Sequence, residues 1–124
     1  MTVKGYLIDT NIISYFFQGQ KEVYEFVKNS NIYISFITEM ELKANPKLSK
    51  KERSLIDSFI KTCVIIDINT EIKQEAIIYI RNHKLKLADA IIAATAYYLK
   101  LELISADEQF KKIGMPVIIP KIKQ

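Results

Sequence analysis

The chain of 124 residues has the length of one domain, and its 49% hydrophobic and 26% charged residues exclude a disordered or low-complexity protein. A single cysteine, Cys63, excludes an intramolecular disulfide, and a single histidine, His83, leaves no Cys/His cluster for structural zinc. The excess of basic residues gives a formal net charge of +4, which suits a polyanionic partner.

The first part of the chain alternates short apolar runs with helical patterns. Residues 3–8 form a mostly apolar run that predicts a strand with both faces covered. The next residues, 12–17, read as the start of a helix. Apolar residues at helical spacing predict a further helix over 21–28, and the run at 32–36 predicts a second strand.

Two capping-box patterns mark helix starts in the middle of the chain. Thr38-Glu39-Met40-Glu41 predicts a helix that begins at Thr38 and stops near Asn45, because Pro46 disfavours helical backbone at the preceding residue. Ser49-Lys50-Lys51-Glu52 predicts the start of the next helix. The apolar run at 63–66 is a predicted third strand.

The last part of the chain contains the most apolar helix pattern. A helix is predicted over 70–81, capped by its first residue. Residues 87–99 are apolar nearly all round, which is typical of a helix buried at the centre of a domain. The runs at 101–105 and 117–119 are predicted strands, with a helical turn containing Phe110 between them.

Alternating strands and helices predict an α/β fold, a three-layer α/β/α sandwich around a mostly parallel sheet of four to five strands. No linker is visible, so we expect a single domain over 1–124. Lys4 and Asp9 interrupt the first apolar run, and the uncharged stretch at 90–99 is far shorter than the roughly 20 residues of a membrane span. We therefore expect a soluble, cytoplasmic protein without a signal peptide.

Acidic residues follow the predicted strands in a recurring pattern. Asp9 comes directly after the first strand, Glu41 in the first turn of the helix after the second, and Asp107 just after the fourth. In an open parallel sheet, ligands bind outside the carboxyl ends of the strands. These three acids should therefore share one edge of the sheet. Asp89 joins them if the buried helix begins at that edge.

Carboxylates gathered in one crevice repel each other, which raises their pKa values and lowers stability. A cation must offset this repulsion. Because the chain offers no cluster of His or Cys, a hard cation such as Mg²⁺ or Mn²⁺ is the natural choice. A divalent cation in such a site can orient a phosphodiester and activate water, which is the chemistry of a nuclease.

Helix capping is the alternative role for each acid taken singly. Glu41 completes the capping box that begins at Thr38, and Ser105-Ala106-Asp107-Glu108 matches the same pattern. The nearly uncharged helix after Asp89 favours a functional role for the four acids together, and capping and metal binding can coexist. Helix starts are also predicted at Asp9, Asp89 and Asp107, so each of these acids could cap a helix.

The four segments that carry these acids resemble the motifs of the PIN-domain family, and in particular the VapC-type ribonuclease toxins of bacterial toxin–antitoxin pairs. Residues 7–11 (LIDTN) are similar to the first motif and residues 34–42 (ISFITEMEL) to the second. Residues 87–96 (LADAIIAATA) match most closely, and residues 103–110 (LISADEQF) resemble the last motif. The resemblance covers nearly the whole chain.

The resemblance implies a PIN-like fold with the acids at one edge of a parallel sheet, and an endoribonuclease that uses Mg²⁺ or Mn²⁺. It also implies a homodimer and a small antitoxin protein that lays a peptide across the acidic groove. Matching residue by residue assigns the catalytic and metal-binding roles to Asp9, Glu41, Asp89 and Asp107.

Further residues are candidates for orienting the carboxylates or holding RNA. Thr10, Asn11 and Ser105 are predicted to orient carboxylates or the phosphate. Basic residues near the second and third motifs are candidates for RNA binding, with solvated surface lysines as the alternative: Lys43, Lys47, Lys50, Lys51, Arg53, Lys84 and Lys86. Several aromatic residues could stack on bases or form an interface, although core packing is favoured for most: Tyr15, Phe16, Phe17, Tyr97 and Tyr98.

Other functions remain open from the sequence: a PIN nuclease that processes RNA without being a toxin, a non-catalytic α/β binding module, or a receiver-like signalling module. A receiver needs adjacent acids after the first strand and a phosphoacceptor aspartate after the third. Here Asp9 stands alone and Asp67 is a loose match. Three scattered glycines disfavour nucleotide-binding enzymes with a glycine-rich phosphate loop.

Overall fold

Strands and helices alternate along the chain in the predicted order. The computed structural model describes residues 4–123, so Val3 of the first predicted strand lies outside the described residues. The elements are β1 (Gly5–Ile8), α1 (Thr10–Phe17), α2 (Lys21–Lys28), β2 (Asn31–Ser35), α3 (Phe36–Ala44), α4 (Lys50–Ile60), β3 (Val64–Ile66), α5 (Thr70–His83), α6 (Leu87–Leu99), β4 (Glu102–Ile104), α7 (Gln109–Lys112) and β5 (Val117–Ile118).

The strands form one parallel sheet in the order β3-β2-β1-β4-β5. Strand β1 lies at its centre, where Leu7 pairs with Tyr33 of β2 on one side and Leu103 of β4 on the other. This order differs from the 2-1-3-4-5 order of receiver domains. The receiver-like alternative is therefore not supported by the fold.

Two apolar cores lie on opposite faces of the sheet. Successive side chains of a strand point to opposite faces. Accordingly, Tyr6 and Ile8 pack in one core with residues of α1, α2 and α4, whereas Leu7 and Leu103 pack in the other with α5, α6 and α7. The predicted three-layer sandwich with a parallel sheet is confirmed.

One predicted helix start and one predicted cap are wrong. Helix α3 begins at Phe36 and not at Thr38, because the hydroxyl of Ser35 at the end of β2 already accepts a hydrogen bond from the Ile37 amide (3.2 Å). Helix α5 begins at Thr70, but its cap is Asn69, whose Oδ1 accepts from the Ile72 amide at 2.8 Å.

The capping box at the start of α4 is confirmed. The Glu52 amide donates to Ser49 Oγ (3.1 Å), and Glu52 Oε1 accepts from the Ser49 amide (2.8 Å). No helix within residues 4–123 is long and apolar enough to cross a membrane.

The expectation that most of the aromatic residues pack in the core is wrong. Phe17, Tyr97 and Tyr98 are 42%, 63% and 45% exposed, whereas Tyr15 and Phe16 are partly buried. The periodicity of α1 and α6 places these three rings on solvent-facing positions at the helix ends.

Candidate active site

The candidate site lies where the strand order reverses. The chain passes from β1 to β2 on one side, whereas β4 pairs with β1 on the other. Such a reversal opens a crevice at the carboxyl ends of the strands. Asp9 directly follows β1, and its backbone amide donates to the Ile104 carbonyl at the end of β4 (3.3 Å). Asp107 follows β4 at the same edge.

Asp9 is buried at this edge and is only 6% exposed. It caps α1, since its Oδ1 accepts from the Ile12 amide (3.1 Å), and its Oδ2 accepts from the Ser105 hydroxyl. The pKa of Asp9 is raised to about 6: burial is the main cause, the charges of Asp89 and Asp107 add to the shift, and the hydrogen bonds from Ser105 and Ile12 oppose it. The predicted orienting role of Ser105 is supported by this contact, and capping coexists with a place in the acidic cluster.

Asp89 lies in the first turn of α6 but does not cap the helix. The N-cap is Lys86, which makes no side-chain capping bond. Burial raises the pKa of Asp89, and the charges of Asp107 and Glu41 add to the shift, while the Gln109 amide and the charge of Lys86 oppose it. The capping alternative for Asp89 is wrong, and the acid belongs electrostatically to the cluster.

Glu41 lies in the second turn of α3, not the first as expected, because the helix begins at Phe36. The predicted capping box with Thr38 is therefore absent. Instead, the Thr10 hydroxyl donates to Glu41 Oε1 (2.7 Å) and lies 3.2 Å from the hydroxyl oxygen of buried Thr38. Thr10 thus ties the acid of the second motif to the first motif, as expected of a residue that orients a carboxylate.

Asp107 lies in the loop between β4 and α7. Its amide donates to Ser105 Oγ (3.0 Å) and its Oδ1 accepts from the Gln109 amide (3.0 Å), so the capping box expected between Ser105 and Glu108 does not form. The Gln109 side chain donates to Asp107 Oδ2 (2.6 Å) and to Asp89 Oδ2 (3.2 Å). Sequence reasoning missed Gln109; the only signal was an amide two residues after a candidate acid.

The set of oxygen donors suits a hard cation. The four acids act on one another electrostatically, and their hydroxyl and amide partners come from Thr10, Ser105 and Gln109. Among residues 4–123, no three side chains of His, Cys, Asp or Glu converge closely enough to hold a metal as they are placed. Because all the donors are oxygens, their chemistry fits Mg²⁺ or Mn²⁺. The carboxylates would have to move closer together to bind such a cation.

The basic candidates differ in their surroundings. Lys43 pairs with Glu39 (3.0 Å) and remains exposed, and the charge of Lys86 acts on Asp89. Lys47 and Lys84 are exposed. Arg53 is an exception, because its guanidinium donates to two backbone carbonyls, Lys43 O and Asn45 O (3.1 and 2.8 Å). Arg53 holds the turn after α3 and is not a free phosphate contact.

Asn11, the remaining residue expected to orient a carboxylate or the phosphate, is exposed on α1. No side-chain hydrogen bond of Asn11 occurs within the part of the chain that the structure describes. The structure therefore does not bring it into the hydrogen-bond network of the acids.

Residues 6–115 match the PIN domain family, so the chain belongs to this family. A chain in a solved toxin–antitoxin complex from Klebsiella pneumoniae is 31% identical, with a TM-score of 0.82 and coverage of 95% of this chain and 99% of that one. The predicted resemblance is confirmed. No curated protein matches the chain.

Two more distant structures share the fold. VapBC2 from Rickettsia felis, bound to a promoter DNA fragment, contains a chain 23% identical, with a TM-score of 0.79 and coverage of 94% and 99%. VapC20 from Mycobacterium tuberculosis, a sarcin–ricin loop cleaving toxin, is 12% identical, with a TM-score of 0.66 and coverage of 89% and 95%. The fold thus recurs in VapBC toxin–antitoxin proteins.

Proposed function

We propose that this PIN domain is a metal-dependent endoribonuclease and the toxin of a toxin–antitoxin pair. The observation that carries the proposal is that four acids from separate parts of the chain lie near the reversal point of the sheet, and that burial and neighbouring acids raise the pKa values of Asp9 and Asp89. A carboxylate that is buried beside other carboxylates, as Asp9 is, is unfavourable, and such groups are found most often at functional sites. Family membership and the 31% identical chain in a toxin–antitoxin complex support the same activity.

We assign the metal to Asp9, Glu41, Asp89 and Asp107. A bound divalent cation supplies charge neutralisation to the phosphodiester and lowers the pKa of a coordinated water. Other residues of the chain hold the acids: the Ser105 hydroxyl and the Ile12 amide hold the two oxygens of Asp9, and Thr10 holds Glu41. These contacts fix the ligands before substrate arrives, which is how outer partners usually support a metal site.

The RNA would lie across the acidic edge between two groups of lysines. Lys84 and Lys86 precede α6, and Lys43 and Lys47 follow the acid of α3. All four are exposed, and lysine contacts to phosphate make RNA affinity fall steeply with salt. A salt-independent affinity would remove these residues from the proposal.

Exposed apolar side chains support the two proposed protein partners. For the antitoxin, Phe17, Tyr24 and Leu55 expose 42–49% of their surface on α1, α2 and α4. For a homodimer, a separate set lies on α3, α5 and α6: Met40, Ile77, Ile78 and Leu87. Contiguous exposed apolar surface commonly marks a protein interface. Sedimentation of the purified chain at a monomer mass would contradict the homodimer.

The proposed activity is tested with total RNA from the host cell and the purified, partner-free protein. We expect discrete new fragments in the presence of Mg²⁺ or Mn²⁺ and none after chelation, because the carboxylates cannot hold the phosphodiester without the cation. Fragment ends mapped by primer extension would identify the target. Intact RNA with folded protein and either metal would contradict the proposal and favour a non-catalytic binding module.

A PIN nuclease of ordinary RNA processing is the second candidate function. The same cleavage assay supports both, so the distinction needs expression in living cells. A toxin arrests growth unless its partner is expressed with it, whereas a processing enzyme does not. Growth arrest relieved by the product of a small neighbouring gene would favour the toxin.

A further inference from the structure

The Gln109 side chain lies between two of the carboxylates. Its amide nitrogen is 2.6 Å from Asp107 Oδ2 and 3.2 Å from Asp89 Oδ2. An amide nitrogen carries two hydrogens, so one group can donate to both acids at once. The Gln109 backbone amide also donates to Asp107 Oδ1, and this bond holds the backbone of Gln109 at the start of α7.

No formal positive charge contacts these acids directly. The ion pairs among residues 4–123 are Lys4–Glu102 and Lys43–Glu39, and neither involves the candidate site. Lys86 acts on Asp89 through its charge alone. The positive end of the Gln109 amide dipole is therefore the donor that offsets the repulsion between Asp89 and Asp107.

The amide also takes up one oxygen of each carboxylate. Mg²⁺ binds oxygens at about 2.0–2.1 Å, which is shorter than either distance to the amide nitrogen. A cation held by these oxygens would have to replace their hydrogen bonds to the amide.

We propose that Gln109 competes with the metal: its amide bonds one oxygen of Asp89 and one of Asp107, and a cation held by these oxygens would replace it. The inference rests on the proposed function, because it assumes that these acids bind a divalent cation. Gln109 thereby lowers the metal affinity and sets the cation concentration at which the site fills. It acts through the two carboxylates and is a positioning residue.

The inference predicts opposite effects for two substitutions at this position, measured as Mn²⁺ affinity by calorimetry on metal-free protein. Gln109→Met keeps the length of the side chain but removes both donors, so Mn²⁺ should bind about tenfold more tightly, since hydrogen bonds to charged groups are the stronger class. Gln109→Lys places a permanent cation between the acids and should weaken binding at least about tenfold. Gln74→Met, at an exposed position of α5, is the matched control and should not change the affinity.

Thermal unfolding of the same metal-free proteins gives a readout that does not depend on the metal. Gln109→Met should unfold at a lower temperature than the wild type, because no donor then offsets the repulsion between Asp89 and Asp107. Gln109→Lys should unfold at a higher temperature, because the lysine charge neutralises this repulsion. Gln109→Ala also removes the amide and should behave like Gln109→Met. The test can therefore still be made if one of the two variants does not fold.

The outcomes separate the inference from the proposed function. Mn²⁺ binding by the wild type with equal or weaker binding by Gln109→Met and Gln109→Ala would overturn the inference alone, since Gln109 would then assist the ligands. No Mn²⁺ binding by the wild type or by any variant would overturn both. Binding that appears only when Gln109 is truncated would support the inference strongly.

Discussion

Replacing Asp89 with asparagine is expected to abolish RNA cleavage while leaving the fold intact. Loss of an outer partner of a metal ligand already costs about 10–100-fold, so loss of the charge on a ligand itself should cost at least about 100-fold. Asp89 lies in the first turn of α6 without capping it, so an amide at this position removes no helix-capping bond. The cleavage rate at saturating Mn²⁺, measured on a single purified target RNA, tests the assignment.

Two measurements accompany this variant. Asp57→Asn makes the same chemical change at an exposed position of α4 and should cleave at the wild-type rate. Circular dichroism and a melting curve should show that Asp89→Asn is folded and at least as stable as the wild type, because a carboxylate with a raised pKa has become neutral. Wild-type cleavage by Asp89→Asn would refute the assignment of the site.

The architecture was predictable because each layer of this fold leaves a local signal. Buried parallel strands read as short apolar runs, and α6, enclosed by the sheet and α5, reads as a helix that is apolar nearly all round. The helix boundaries of α6 coincide with the pattern at 87–99. In contrast, the start of α3 depends on Ser35, a strand residue whose hydroxyl caps the next helix, and a sequence pattern gives no preference between this serine and Thr38.

The candidate site was predictable only at the level of its acids. Asp9 and Asp107 follow neighbouring strands, so the rule for parallel sheets places them at one edge. The position of Asp89 depends on how α6 crosses the sheet, which has no local signal. The contacts of Thr10 with Glu41 and of Gln109 with Asp89 join residues 31 and 20 positions apart, and only the folded chain reveals them.

Asp9→Asn is expected to stabilise the metal-free protein near neutral pH. The pKa of Asp9 is about 6 in the folded protein, compared with 3.8 as its ordinary value. The folded state therefore binds a proton more tightly than the unfolded state, and the free energy of unfolding falls as the pH rises from about 4 to about 6. A shift of this size corresponds to about 3 kcal/mol at most, so the variant should gain about 1–3 kcal/mol at pH 7.

The pH dependence identifies the cause of this gain. In urea unfolding, wild type and Asp9→Asn should have similar stability near pH 4 and diverge as the pH rises, because only the wild type must ionise a buried carboxyl. Asparagine retains an oxygen that can accept from the Ile12 amide, so the cap of α1 is kept. A stability difference that does not vary with pH would show that packing, not ionisation, separates the two proteins.

Adding Mn²⁺ should reverse the order of stability. A ligand that binds only the folded state stabilises it in proportion to the logarithm of its concentration over Kd. The wild type, with all its carboxylates, should gain stability with Mn²⁺, whereas Asp9→Asn should gain little. This reversal would show that the buried carboxylate at the end of β1, which weakens the metal-free protein mainly through its burial, is the group that favours the cation.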